Sequence, residues 1–335
     1  MGKLFWYLNR LQAMDLREVC WRVQQRLLAK AEKKRFGKQR VRVDGEVWNE
    51  ALRELGFDAG ALGINLANAH YSTVTEVHRL QGPDYGKWPD TFSYDLTYKQ
   101  RDDLGDARTC WEKHRHFRFA LLAKAAYVSG DRRLLAHLSD EQDRWCEQHT
   151  FLHGIAWTSV MEVAIRAVNW MVALAFCKDK KLAERLRTGV INMTDYLTRH
   201  YSRFSSANNH LLVEAAAIGL AGYAFGYRPW KELGMALLSK ELLNQNYEDG
   251  VNKELSLHYQ TFGMEAYCLM MRAMQAHDDK IPTAWYGMLS KQAEYVAHSL
   301  WNEQVPMEFG DDDEGKILDL QGGEWNYCSY ILQSS

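Results

Sequence analysis

The sequence predicts an all-α fold of antiparallel helix pairs. Three observations carry that expectation. Only 5 prolines occur in 335 residues, so long helices meet few interruptions. From Asp106 onward apolar residues recur at helical spacing in one segment after another. Most links between those segments are short, which favours antiparallel neighbours.

Bulk properties bound the rest. Hydrophobic residues make up 47% and charged residues 25%, the balance of a globular chain with a large core. A formal net charge of -2 gives no overall basic field, so no nucleic-acid partner is expected. A polyanion can still be met by Arg, Lys and His converging locally. Cys20, Cys110, Cys146, Cys177, Cys268 and Cys328 form no C-x-x-C pair, and their wide spacing reads as isolated core thiols. The amino terminus lacks the apolar core and cleavage site of a secretory signal. No run approaches the ~20 apolar residues of a membrane span. As read, the chain is cytoplasmic with no membrane insertion, or periplasmic or secreted if an export signal was removed.

Residues 1–105 read as a helical lead-in and an irregular segment. Asp15 and Glu18 stand like a capping box before Val19, Val23, Leu27 and Leu28. The basic stretch Lys30–Arg42 reads as a solvated helix end, and glycines and prolines from Gly56 to Pro89 interrupt any regular element beyond it. Residues 106–304 form the helical core. Trp111, Phe117, Leu121, Leu122 and Ala125 share a face that Gly130 ends. Further helices are expected over Arg132–His149, Thr158–Phe176, Leu182–Tyr201, Asn208–Phe225, Pro229–Asn246, Ser256–His277 and Pro282–Trp301. No strict repeat is visible, so the array is degenerate rather than a regular solenoid. Residues 305–335 change character. An acidic loop, Gly310–Gly315, and Gly322-Gly323 precede aromatic and β-branched residues through Ile331, suggesting the start of a strand-rich domain.

Three segments carry chemistry. Ser205-Ser206-Ala207-Asn208-Asn209-His210 stands directly before an apolar helix, and Asn208 is best read as its cap. A cap does not explain the further amide of Asn209 and the imidazole of His210. A helix amino terminus receives a carboxylate readily, because its free N–H groups point outward. In Asp249–Gln260 a turn leads into a helix start with Tyr259 in its first turn; taken alone, Tyr259 and Phe262 read as core packing and Glu254 and Ser256 as turn residues. In Trp157–Trp170, Glu162 and Arg166 are spaced to pair on one helix face between Trp157 and Trp170. His114-x-His116 and His149/His153 lack a complete metal-ligand set, so no metal is expected. The sequence holds no G-x-G-x-x-G, Walker A or G-x-S-x-G motif.

Taken in order, these segments resemble the amino-terminal toroid of heparinase II/III-type polysaccharide lyases. The likeness starts at Met14–Val19 and sharpens at Gly105–Glu112, His114, Arg115, Ala126, Tyr127, Gly130 and Asp131. It continues through Trp157–Trp170, Asn208-Asn209-His210, Glu254-Leu255-Ser256 with Tyr259, and Phe309-Gly310-Asp311-x-Asp313-x-Gly315. The resemblance implies an incomplete (α/α) toroid whose tail opens a β-sandwich domain. It also implies cleavage of a uronic-acid polysaccharide (heparan sulfate-like, alginate-like or capsular) by β-elimination. Asn209 and His210 would hold the uronate carboxylate, and Tyr259 would act as acid or acid/base. Trp157, Glu162, Arg166, Asn208, Glu254 and Gln260 are the expected substrate contacts. The expected partners are an acidic polysaccharide and the protein's own C-terminal β-rich domain, with no cofactor. A toroid glycoside hydrolase using Glu162 with Asp311 or Glu254, and a non-catalytic glycan-binding module, are the rival readings.

Overall fold

The computed structural model describes residues 14–64, 83–99, 101, 103–301, 305–306, 309–311, 315–320 and 327–334. Helix α1 (Leu16–Phe36) comes first. Asp15 caps it, its Oδ1 accepting from the Glu18 amide at 2.7 Å. The Glu18 side chain instead meets Arg22 at 2.6 Å, so only half of the expected capping box forms. Val23 and Leu27 are exposed, and the helix buries Glu32 and Phe36 instead.

The core continues as α2 (Ala107–Lys113), α3 (Phe117–Ser129), α4 (Arg132–Gln148), α5 (Val160–Phe176), α6 (Lys180–His200), α7 (Asn209–Ala224), α8 (Arg228–Asn244), α9 (Leu257–Ala276) and α10 (Thr283–His298). The single face expected over Trp111–Ala125 is divided between α2 and α3. His116 breaks it at a left-handed φ of 60°. Its ring is held by Trp170, whose indole N–H donates to His116 Nδ1 at 2.8 Å.

Helices α3, α5, α7 and α9 form an inner row in which each packs on the next. Helices α4, α6, α8 and α10 form an outer row, each paired with the inner helix before it. This is the incomplete (α/α) toroid. Nearly every residue of α5 and α7 is buried, as expected for helices enclosed on all sides. Helices α7 and α8 cross where Gly219 faces Gly234, and a Cβ on Gly234 would collide with the Gly219 backbone.

One core cluster extends from Phe36 to Ile331. The tail contributes a short antiparallel pair, β1 (Leu300–Trp301) and β2 (Val305–Pro306), then α11 (Tyr327–Ser334). Where the sequence suggests the start of a strand-rich domain, the last described residues form this helix. Tyr327, Cys328 and Ile331 share a helical face and are buried where α11 packs on α9 and α10. No helix among the described residues is long and apolar enough to cross a membrane.

Candidate functional site

Because each inner helix is succeeded by an antiparallel outer one, the inner helices run the same way and their amino ends gather at one end of the row. Carboxylates brace this end of the row and the tail that crosses α9. Glu162, in the first turn of α5, takes a forked pair of bonds from Arg115, just ahead of α3, at 2.7 and 3.1 Å. Glu214 of α7 accepts from the Ser202 amide at 2.5 Å and its hydroxyl at 2.9 Å, fixing the turn that leads out of α6. Glu254, just ahead of α9, accepts from the Asn209 amide at 2.9 Å and from Asn209 Nδ2 at 3.3 Å, joining the starts of α7 and α9. Glu265 of α9 accepts from the Ile317 and Leu318 amides at 2.8 and 3.0 Å and from the Tyr327 hydroxyl at 2.5 Å. Burial pushes the Glu214 carboxyl up to about 8 and that of Glu265 to about 7.

At the α7 end, Asn208 caps the helix by accepting from the His210 amide at 3.3 Å. Its carbonyl is held in turn by Gln245 Nε2 at 3.1 Å. Asn209 is the first helical residue and is 5% exposed. Its buried Oδ1 has no hydrogen-bond partner among the described residues. His210 comes next, half-buried.

At the α9 end, Ser256 caps the helix and accepts from the Tyr259 amide at 3.1 Å. The half-buried Tyr259 donates its hydroxyl to Asp311 Oδ2 at 3.3 Å. Three tail contacts bring Asp311 there. Ser256 Oγ donates to the Asp311 carbonyl at 2.5 Å, and the Leu257 amide to the Phe309 carbonyl at 3.1 Å. Between them Gly310, at a φ of +80°, lies against the Leu255–Ser256 backbone, where any side chain would collide.

The family profile described as heparinase II/III N-terminus matches residues 5–321. The chain belongs to that family. A heparin-sulfate lyase of Bacteroides thetaiotaomicron is 28% identical over 239 residues, which cover 66% of this chain and 33% of that protein. A heparin-sulfate lyase of Bacteroides stercoris is 23% identical over 230 residues, covering 60% of this chain and 34% of its own. The chain thus spans about a third of the length of the curated relatives it matches. A solved heparinase III structure overlays with a TM-score of 0.51 at 22% identity, covering 82% of this chain and 43% of the other, a likeness of fold.

Within this heparinase II/III module, Asn208, Asn209, His210, Glu254 and Tyr259 lie at the adjoining amino ends of α7 and α9. Four other expected substrate contacts are buried in the frame. Arg166 is fully buried. It donates to the His114 and Ala156 carbonyls, each at 3.0 Å, and lies between the rings of Trp145 and Trp157 at 4.9 Å from each. Burial lowers its guanidinium to about 10. Glu162 pairs with Arg115 rather than forking to Arg166, and Glu162 and Trp157 are each 1% exposed. Gln260, 1% exposed, accepts from the Asn252 amide at 2.7 Å and donates to the Gly250 carbonyl at 3.1 Å, folding the loop before α9.

His114, His116 and His149 cluster around Tyr85, and burial holds all three imidazoles below their usual range, His149 at about 4. Trp145 and Trp170 donate to the Nδ1 atoms of His114 and His116, which marks them as core histidines. Among the described residues no group of three or more His, Cys, Asp or Glu could hold a metal ion. Sequence reasoning left Asp311 unassigned as a partner of Tyr259. The signal for it was Gly310, a glycine directly before an acidic residue. Glu214 and Glu265 were missed too, although a lone acid in an apolar run, as in LLVEAAA and FGMEAYC, marks a buried staple.

Proposed function

We propose that this chain is the toroid half of a polysaccharide lyase that cleaves uronate-containing glycans by β-elimination. One observation carries the reading: Glu254 ties Asn209 to the segment that presents Tyr259, so an amide and a phenol serve one site at the mouth of the inner row. Asn209 and His210 grip the uronate carboxylate. In that grip the carboxylate cannot repel the negative charge that develops when the neighbouring carbon loses its proton, and fixed donors stabilise the enolate-like state. The glycosidic C–O bond then breaks, and Tyr259 gives its hydroxyl proton to the leaving oxygen. Asp311, accepting from that hydroxyl, orients the phenol. The base that takes the carbon-bound proton belongs to the C-terminal β-rich domain, from which family members draw a His or Tyr. The heparin-sulfate lyases among the relatives support heparan sulfate as the first polymer to try, with alginate and capsular uronans after it.

The test is a screen of these polymers with the protein that contains this chain, scoring the product ends. Unsaturated uronate ends, read by their ultraviolet absorbance, are expected. Saturated non-reducing ends at every new cut would establish a hydrolase instead, and glycan binding without any cleavage would leave a binding module.

A further inference from the structure

A cavity opens beside the same end of the toroid. It measures about 730 Å³ and is walled by Tyr98, Lys99, Arg101, Arg108 and Trp111, with Asp106 at its edge. That volume lies within the roughly 300–1,000 Å³ of small-ligand sites. Trp111 donates its indole N–H to Thr158 Oγ1 at 2.9 Å, which fixes the ring over the start of α5. Tyr98 stands edge-on to it with ring centroids 5.2 Å apart, and both rings are only half-buried. Arg101 is forked to Asp103 at 2.7 Å. Lys99 and Arg108 are exposed and make no ion pair among the described residues. The cavity at the opposite end of α7 differs, because its Lys231 is already held by Asp279 at 3.0 Å.

Two half-exposed aromatic faces beside uncommitted cations suit one class of ligand: a sugar ring that stacks on the aromatics while its sulfate or carboxylate meets the charges. We infer that Tyr98, Lys99, Arg108 and Trp111 form a distal subsite for an anionic sugar of the same polymer whose scissile bond lies at Tyr259. This rests on the lyase reading for its ligand. The subsite belongs to the α5 start, whereas Tyr259 starts α9, two positions along the inner row. At 8–10 Å per helix spacing the two are roughly 16–20 Å apart. Only a chain several sugars long spans both, so the subsite selects for polymer over short fragments.

The experiment compares the wild-type chain with the double variant Lys99→Ser/Arg108→Ser, and with Lys180→Ser/Lys181→Ser as a control at two exposed lysines on α6. Binding of heparan sulfate polymer and of a single uronate-containing disaccharide is measured at low salt. Removing the two cations is expected to weaken polymer binding roughly tenfold and leave the disaccharide unchanged. The control pair should bind both as wild type does. Unchanged polymer affinity in the first variant, equal losses for polymer and disaccharide, an equal loss in the control, or no polymer binding by the wild type would each overturn the subsite. Product formation is scored separately. Polymer binding that depends on Lys99 and Arg108 without unsaturated product counts against the lyase reading and leaves the subsite standing.

Discussion

Asn209 owes its pose to a single carboxylate. Glu254 takes both the backbone N–H and a side-chain N–H of Asn209, so in the proposed mechanism it positions that amide. Glu254→Gln keeps the shape but replaces one acceptor with a donor facing a buried N–H. We expect a loss of about 1–3 kcal/mol in urea unfolding, together with a fall in turnover. Wild-type stability and turnover in the variant would show that the Glu254 contact is incidental. The polar triplet Asn208-Asn209-His210 was legible in the sequence because it interrupts an otherwise apolar helix start, and Tyr259 because it comes just after a turn signal. Asp311 was not legible as the partner of Tyr259, since that contact forms only when the tail folds back across 52 residues. The Glu162–Arg166 pairing failed for the same reason. Spacing reports a local option, and the real partner, Arg115, lies 47 residues away.

Helix positions from Arg132 to His298 agree with the periodicity to within a few residues at each end, because an amphipathic or fully apolar repeat is a local property. The break at His116 is not local. It depends on the Trp170 indole, which arrives from α5, and no pattern in residues 111–125 encodes it. Helix α11 was not legible, because aromatic and β-branched residues suit a strand as well as a buried helix face. The α7–α8 crossing offers a test of how tightly these elements fit. Gly234→Val forces a side chain into the Gly219 backbone and should cost on the order of 3 kcal/mol, read as a lower urea midpoint. Gly287 lies in α10 with open space around it, so Gly287→Ala should raise stability by about 0.5–1 kcal/mol, read as a higher urea midpoint. Equal effects at the two sites would contradict the close crossing.

Across the whole molecule, buried ionisable groups set how stability varies with pH. His114, His116 and His149 are lowered from 6.5, so the stability they contribute is complete above that value and is lost on acidification. Glu265 and Glu214 are raised from 4.5 to about 7 and about 8, so their contribution is complete below 4.5 and is lost as pH rises through the folded values. Between pH 6.5 and 8 the imidazoles are neutral in both states and the carboxyls act alone. The melting temperature should therefore fall over that interval, and Glu265→Gln, though less stable overall, should fall less steeply. A rising or flat wild-type profile would contradict the assignment. Glu265 also anchors residues 317–318 and α11, and so the tail that carries Asp311 to Tyr259. The proposed elimination depends on what that phenol does. The most direct measurement is turnover of heparan sulfate, or of whichever uronan the polymer screen identifies, by Tyr259→Phe in the intact protein, with folding checked by its melt. A fall of about 10²–10⁴-fold in unsaturated product, with polymer binding retained, is the predicted result. Turnover near that of the wild type would contradict it.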